Sequence, residues 1–262
     1  MRTLFKVMTV FFLVAVIGFF VISSWIEDRN QEMYNQSYQS SYSYSVEISP
    51  NASLKNVTLY LPLMVLNSTS AIGEDIIKNN FNENDHSWNY SLVETEHGLM
   101  LSMKTDEIDP TFHSREGYVV KGSDPEETRV WTSDEYSNKT PIPDMIIFST
   151  MINSNRTIDT LDPLSNDVVL QPKYNVKPTT DEGYSFRKQY DYESILYAEY
   201  EASPDAIVEI TIMADGENSW WIMGWQGNDY SDWMNVKLFG PQKGWTKIDG
   251  FLGSGGGVYR DT

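Results

Sequence analysis

Five of the eight tryptophans lie in one short stretch near the C-terminus: Trp220, Trp221, Trp225, Trp233 and Trp245. Exposed indole rings in a row stack on sugar rings, so these five are the candidate binding residues. Packing is the competing role, because adjacent Trp220 and Trp221 must point to opposite faces of a strand. On that alternation Trp221, Met223 and Trp225 share one face, which predicts a core position for both tryptophans, with Trp220 opposite. Just beyond, Asn228, Asp229 and Asp232 read as a loop offering the hard oxygen ligands that calcium prefers, and Asn82, Glu83, Asn84 and Asp85 offer a second set. Neither has EF-hand spacing, and acidic loops in a chain of this charge are commonly just solvated. Calcium is the one cofactor these residues suggest.

Other chemistries find no marked residues. His86, His97 and His113 are the only histidines, 11 and 16 residues apart, with neither the H-x-x-x-H nor the H-x-H arrangement that places two zinc ligands together. Cysteine is absent, which excludes disulfides, thiol catalysis and cysteine-ligated metals. No nucleophile elbow or phosphate-binding loop occurs, and the terminal Gly-Ser-Gly-Gly-Gly lacks a lysine and a following helix. A carboxylate pair for glycoside hydrolysis would have to come from 37 unmarked acidic residues. A net charge of −18 repels nucleic-acid phosphates, so nucleic acid is set aside as a partner. Sequons stand at Asn35, Asn51, Asn56, Asn67, Asn89, Asn138 and Asn155; Pro141 follows the Asn138 sequon and weakens it, leaving six glycosylation candidates.

The elements that position these residues begin with an address. Residues 7–26 carry no charge and, at about 1.5 Å per residue, span about 30 Å, the thickness of a bilayer's hydrocarbon core. Arg2 and Lys6 precede this run, which keeps residues 1–6 inside as a short cytoplasmic N-terminus. A cleaved signal peptide is the alternative, but the apolar run is long for one and Ile22-Ser23-Ser24 is a poor cleavage site. Residues 27–45, rich in Asn, Gln, Ser and Tyr, read as a polar stalk whose end merges into strand.

From residue 46 to 262 short Val, Ile, Leu, Thr and Tyr runs alternate with turn residues, predicting an all-β, sandwich-like extracytoplasmic domain, with a division into two small domains near residue 180 as the variant. Val57, Leu59 and Leu61 fall on one strand face and Asn56, Thr58 and Tyr60 on the other. Glu96-His97-Gly98 predicts a hairpin, and Ser70 caps a short predicted helix over residues 71–79. Asp215-Gly216-Glu217-Asn218 reads as a turn within a four-stranded C-terminal meander.

The apolar helix, the phrase LKNVTLYLPL, and ENSWWIMGWQGNDYSD followed by GPQKGW together resemble uncharacterised membrane-anchored extracytoplasmic proteins of archaea. The resemblance touches about a third of the chain. It implies an envelope address and no activity. The sequence therefore predicts a single-pass protein of the cell membrane with its bulk outside and a non-enzymatic structural or binding role, its partners being the membrane and envelope glycans or surface-layer proteins. A carbohydrate-binding module and a hydrolase with an unmarked carboxylate pair are the two rivals.

Overall fold

The computed structural model describes residues 2–79, 81, 87–113, 119–121, 128–130, 142–181 and 183–260. The acidic segment at 82–85, His86 and the Asn138 sequon lie outside them. A single helix, α1 (Arg2–Ser37), carries the apolar run and continues past it. The continuation occupies much of the tract expected as a stalk. Side chains one helical turn apart explain why: Arg29 pairs with Glu32 at 3.0 Å, and Gln31 donates to Asn35 at 3.0 Å. The stalk's remaining residues open strand β1 (Gln39–Pro50), whose Ser-Tyr alternation buries Tyr42 and Tyr44 on one face.

The chain then forms β2 (Leu54–Leu61), β3 (Leu63–Val65), α2 (Ala71–Asn79), and the hairpin β4 (Asn89–Thr95) and β5 (Gly98–Ile108). Four short strands follow: β6 (Phe112–His113), β7 (Val119–Lys121), β8 (Thr128–Val130) and β9 (Ile142–Pro143). β10 (Ile146–Ser154), α3 (Pro163–Asn166), β11 (Val169–Gln171) and β12 (Tyr174–Thr179) lead to four long strands, β13 (Lys188–Glu201), β14 (Ile207–Trp221), β15 (Trp225–Phe239) and β16 (Gln242–Gly257). The predicted helix and hairpin are present. Ser70 Oγ accepts the Gly73 amide at 3.0 Å as the cap of α2, and Gly98 turns the β4–β5 hairpin at φ +101°.

Two packed sheets were expected, but the main strands join a single antiparallel sheet in the order β10-β1-β14-β15-β16-β13-β2-β5-β4, with β12 also paired to β13. This sheet curls into a half-barrel. Strands of 14 to 16 residues accumulate a strong right-handed twist, so the sheet wraps around its own core instead of stacking on a second one. Its edges approach each other: Phe148 of β10 and Tyr90 of β4 have ring centroids 6.4 Å apart, with Phe81 against both. Helix α2 lies across this gap, and Thr150 of β10 donates to its Asp75 at 2.8 Å. Strands from both sides of residue 180 interleave, β1 beside β14 and β2 beside β13, so the chain does not divide there.

The C-terminal meander has three long strands, not four. Asp215-Gly216, predicted as a turn, sits inside β14 because Gly216 faces Tyr230 across the ladder. A Cβ on Gly216 would lie 2.2 Å from that ring. Gly250 of β16 makes the same space for Tyr192 of β13, at 2.3 Å. Each glycine lets a tyrosine lie flat over the neighbouring strand and carry its hydroxyl into the interior.

Candidate functional site

The concave face of the sheet is a packed interior with buried ionic groups. Asp232 of β15 is fully buried; its carboxylate accepts the Leu170 amide at 2.9 Å, the Lys173 ammonium at 2.7 Å and the Tyr192 hydroxyl. Burial brings the Lys173 ammonium down to about 8 against the pull of Asp232. A second buried carboxylate, Asp167, accepts two bonds from Arg156 at 2.9 and 3.0 Å, the Asp159 amide at 2.8 Å and the Tyr42 hydroxyl. Burial first, then the bond to Asp167, push the Tyr42 phenol well above its ordinary value. Tyr230 adds a bond to the Val168 carbonyl. Both carboxylates tie the segment at 156–173 to the sheet, and neither faces an open site.

This placement corrects the reading of Asn228, Asp229 and Asp232 as one loop of ligands. Asn228, Asp229 and Asp232 are not in a loop but within β15, where alternation turns Asn228 and Asp232 inward and Asp229 outward. Asn228 Oδ1 accepts from Thr160 at 2.7 Å and from Asn218 at 2.8 Å, which closes a buried network with Ser40 and the Ile158 backbone. Among the described residues no group of three or more His, Asp or Glu is placed to hold a metal ion.

On the outer face, Asp229 lies opposite Glu217 across the ladder, beside Asp215. These carboxylates line an open depression of about 470 Å³ with Ser41, Ser43 and Met151. Asp215 is bonded by Ser231 at 2.6 Å and Ser43 at 3.0 Å. Burial, then the charges of Asp215 and Glu217, raise the Asp229 carboxyl above its ordinary value. A carboxyl raised by its burial among other acidic side chains is the kind of group that general-acid chemistry uses. Sequence reasoning missed this trio, since only the pairing of β14 with β15 brings it together.

The tryptophans divide differently from their predicted roles. Trp220 is the buried one, 2% exposed, packed on Tyr34 at 5.4 Å and stacked on Tyr38 at 6.2 Å. Trp221 and Trp225 are a cross-strand pair at the hairpin end, 42% and 63% exposed, with Met223 in the turn between them. Trp221 and Trp225 do share one face with Trp220 on the other, but Met223, taken as an apolar neighbour marking that face as core, sits exposed in the turn, and the inward set of β14 ends on Trp220. Trp233 packs on Phe251 at 4.4 Å and Trp245 against His97 at 4.6 Å, both on the outer face and half-buried. The five indoles form no common row.

A cleft of about 380 Å³ remains at the end of the sheet where α1 packs, lined by Tyr34, Tyr38, Asp159, Trp220, Tyr259 and Arg260. Burial pulls the Asp159 carboxyl upward, yet the amides of Asp162 and Leu161 and the Asn166 side chain together hold it below its ordinary value. Arg260 lies over the Tyr34 ring at 4.5 Å and donates to Gln31 at 3.2 Å. Stacking and hydrogen bonding are what this cleft offers. The six sequon asparagines among the described residues, Asn35, Asn51, Asn56, Asn67, Asn89 and Asn155, are all exposed, and Asn56 donates to Glu201 at 3.1 Å.

Comparison of the chain with family models, curated proteins and solved structures gives no match. No activity or site residue reaches this chain from a relative.

Two outcomes follow from the geometry. Trp220→Ala should lower stability by about 3–5 kcal/mol, through lost burial plus the cavity left behind, whereas Trp225→Ala should leave the melting temperature nearly unchanged. Equal effects in thermal denaturation would contradict the assignment of the two rings. For Asp229, a raised folded pKa means that the native state holds its proton to higher pH than the unfolded chain. Stability therefore falls as pH rises through that window, starting from about pH 4, and the penalty persists at neutral pH. Asp229→Asn should raise the melting temperature at pH 7 and lose that advantage below about pH 4; a lower melting temperature at pH 7 would mean that the carboxylate has a stabilising partner.

Proposed function

We propose that this chain is a single-pass protein of the cell membrane, N-terminus inside, whose β domain stands outside and has a structural or binding role in the envelope. One observation carries the reading. Helix α1 runs unbroken from the apolar segment, through the poor cleavage site at residues 22–24, into packing contact with the domain at Trp220. Its large side chains between Phe11 and Trp25 are exposed around the helix, an apolar surface that water does not tolerate and a bilayer does. Arg2 and Lys6 favour the inside for the N-terminus. A non-catalytic role is supported by the use of the buried ionisable groups Asp167, Lys173 and Asp232 as internal fastenings.

Carbohydrate binding is the second reading, favoured by the outer-face aromatics around Trp245, where Tyr60 and Tyr197 stack at 5.0 Å and Trp245 meets Tyr197 at 5.4 Å. Loss of envelope-glycan binding in Trp245→Ala with the fold intact would favour it. For the main reading, native protein should resist alkaline carbonate extraction from membranes and retain an N-terminal peptide that includes residues 7–26 on mass spectrometry. Intact cells treated with protease should lose the β domain, and peptides covering Asn51, Asn56 or Asn67 should carry glycan mass. A mature chain beginning after residue 24, released by carbonate, would overturn the anchor.

A further inference from the structure

The turn that joins β14 to β15 is apolar and exposed. It is closed by the Ile222 amide on the Gly224 carbonyl at 2.9 Å, with Met223 at φ +53°. Met223 is 81% exposed and is flanked by the two indoles, whose centroids lie 5.7 Å apart at 79°. No charged residue occurs from Asn218 to Asn228. The bounding acids, Glu217 and Asp229, lie about 20 Å from Met223 along their strands at about 3.3 Å per residue. Elsewhere the outer face mixes charged side chains with aromatics such as Trp233 and Trp245; this tip carries no charge.

Its position is fixed by α1. The Trp221 amide donates to Ser37 Oγ at 2.7 Å, and Ser37 Oγ in turn donates to the Met33 carbonyl at 2.6 Å, so the hairpin tip and the exit of the apolar helix share one end of the sheet. Arg260, just past β16, meets Gln31 and Tyr34 at the same end. Along the helix, Ile26 is about 16 Å from Ser37. Headgroups cover roughly 5–8 Å of that distance, and two residues of extended hairpin beyond Trp221 cover about 7 Å more. The remaining gap is within the reach of an indole or a methionine side chain, and tilt of α1 shortens it.

We infer that the 221–225 tip rests in the headgroup layer of the membrane that α1 crosses, giving the domain a second contact with the bilayer. The inference depends on α1 being retained. Tryptophan suits this layer because its ring is apolar and its N–H is polar, and a methionine between two indoles adds a flexible apolar surface. An uncharged tip of this kind needs no anionic lipid, which fits a domain of strong negative charge. The tip would hold the sheet at a set angle to the membrane, with β10, β1 and the acidic depression facing sideways.

The absence of cysteine makes the test direct. Full-length protein in phosphatidylcholine nanodiscs would carry an environment-sensitive fluorophore at Met223→Cys, at Phe12→Cys within the apolar helix, or at Asp205→Cys in the turn at the opposite end of β14. The expected result is blue-shifted emission and loss of iodide quenching at positions 12 and 223, with position 205 quenched freely. Adding Trp225→Ser to Met223→Cys should restore quenching at 223. Quenching at 223 equal to that at 205, with position 12 protected, overturns the inference and leaves the anchor standing. Quenching at position 12 overturns the anchor itself. Protection at 223 that survives transfer to a lipid-free amphipol, with energy transfer between labelled copies, assigns the tip to self-association and overturns the membrane contact.

Discussion

The Asp232 carboxylate holds the interior to the sheet. An open curled sheet presents a wide concave face that must be covered, and here the cover is made of short pieces: α2, the ribbon of β3 with β11, and the turns between residues 156 and 173. Such pieces have little surface of their own to bury. Asp232 takes hold of them through the Leu170 amide and Lys173 while accepting from Tyr192 on β13. Asp167 does the converse, reaching from the cover to Tyr42 on the sheet. A buried carboxylate left unpaired is very costly, so each of these groups selects the one docking of cover on sheet that satisfies it. Gly216 and Gly250 belong to the same arrangement, since they make room for the tyrosine rings that reach inward.

Much of the β character was legible in the sequence, and the reasons for the failures are physical. Alternation placed Val57, Leu59 and Leu61 inside and Asn56 outside, and Ser70 was recognised as a cap, because those signals act over a few residues. Gly216 misled because an aspartate-glycine pair marks a turn only when no partner strand supplies a ring to fill the glycine's space. Trp220 and Trp221 exchange roles because Met223, an apolar neighbour in sequence, lies in the exposed turn and so marks no core face. The Ser-Tyr repeat at 40–45 carries the strand in which the polar stretch ends, through its period of two; the helical start of that stretch is what its composition hides. Curling into one sheet instead of a sandwich depends on strand length and pairing across distant segments, which no local window contains. Lys173, a lone cation in the apolar run from Val168 to Tyr174, was a visible sign of a buried charge. Its partner lies 59 residues away.

The same geometry shapes the functional account. The buried charges Asp167, Lys173 and Asp232 are engaged with partners, the outer face mixes charged side chains with aromatics, and the distinctive surface is the end where α1 leaves. Tyr34, Tyr38 and Ser37 make the helix part of the domain's packing, so a membrane-bound helix would fix the domain's orientation as well as its address. That arrangement suits a protein that presents a surface at a set distance from a membrane.

Native-state hydrogen exchange at two amides tests the central claim most directly: Leu170, bonded to Asp232, and Asp159, bonded to Asp167. If the carboxylates join cover and sheet into one cooperative unit, both amides should exchange only through global unfolding, with the same opening free energy as the amides in the middle of β14. Exchange of Leu170 and Asp159 through a lower-energy opening that leaves β14 protected would show that the cover detaches on its own, and would contradict the account.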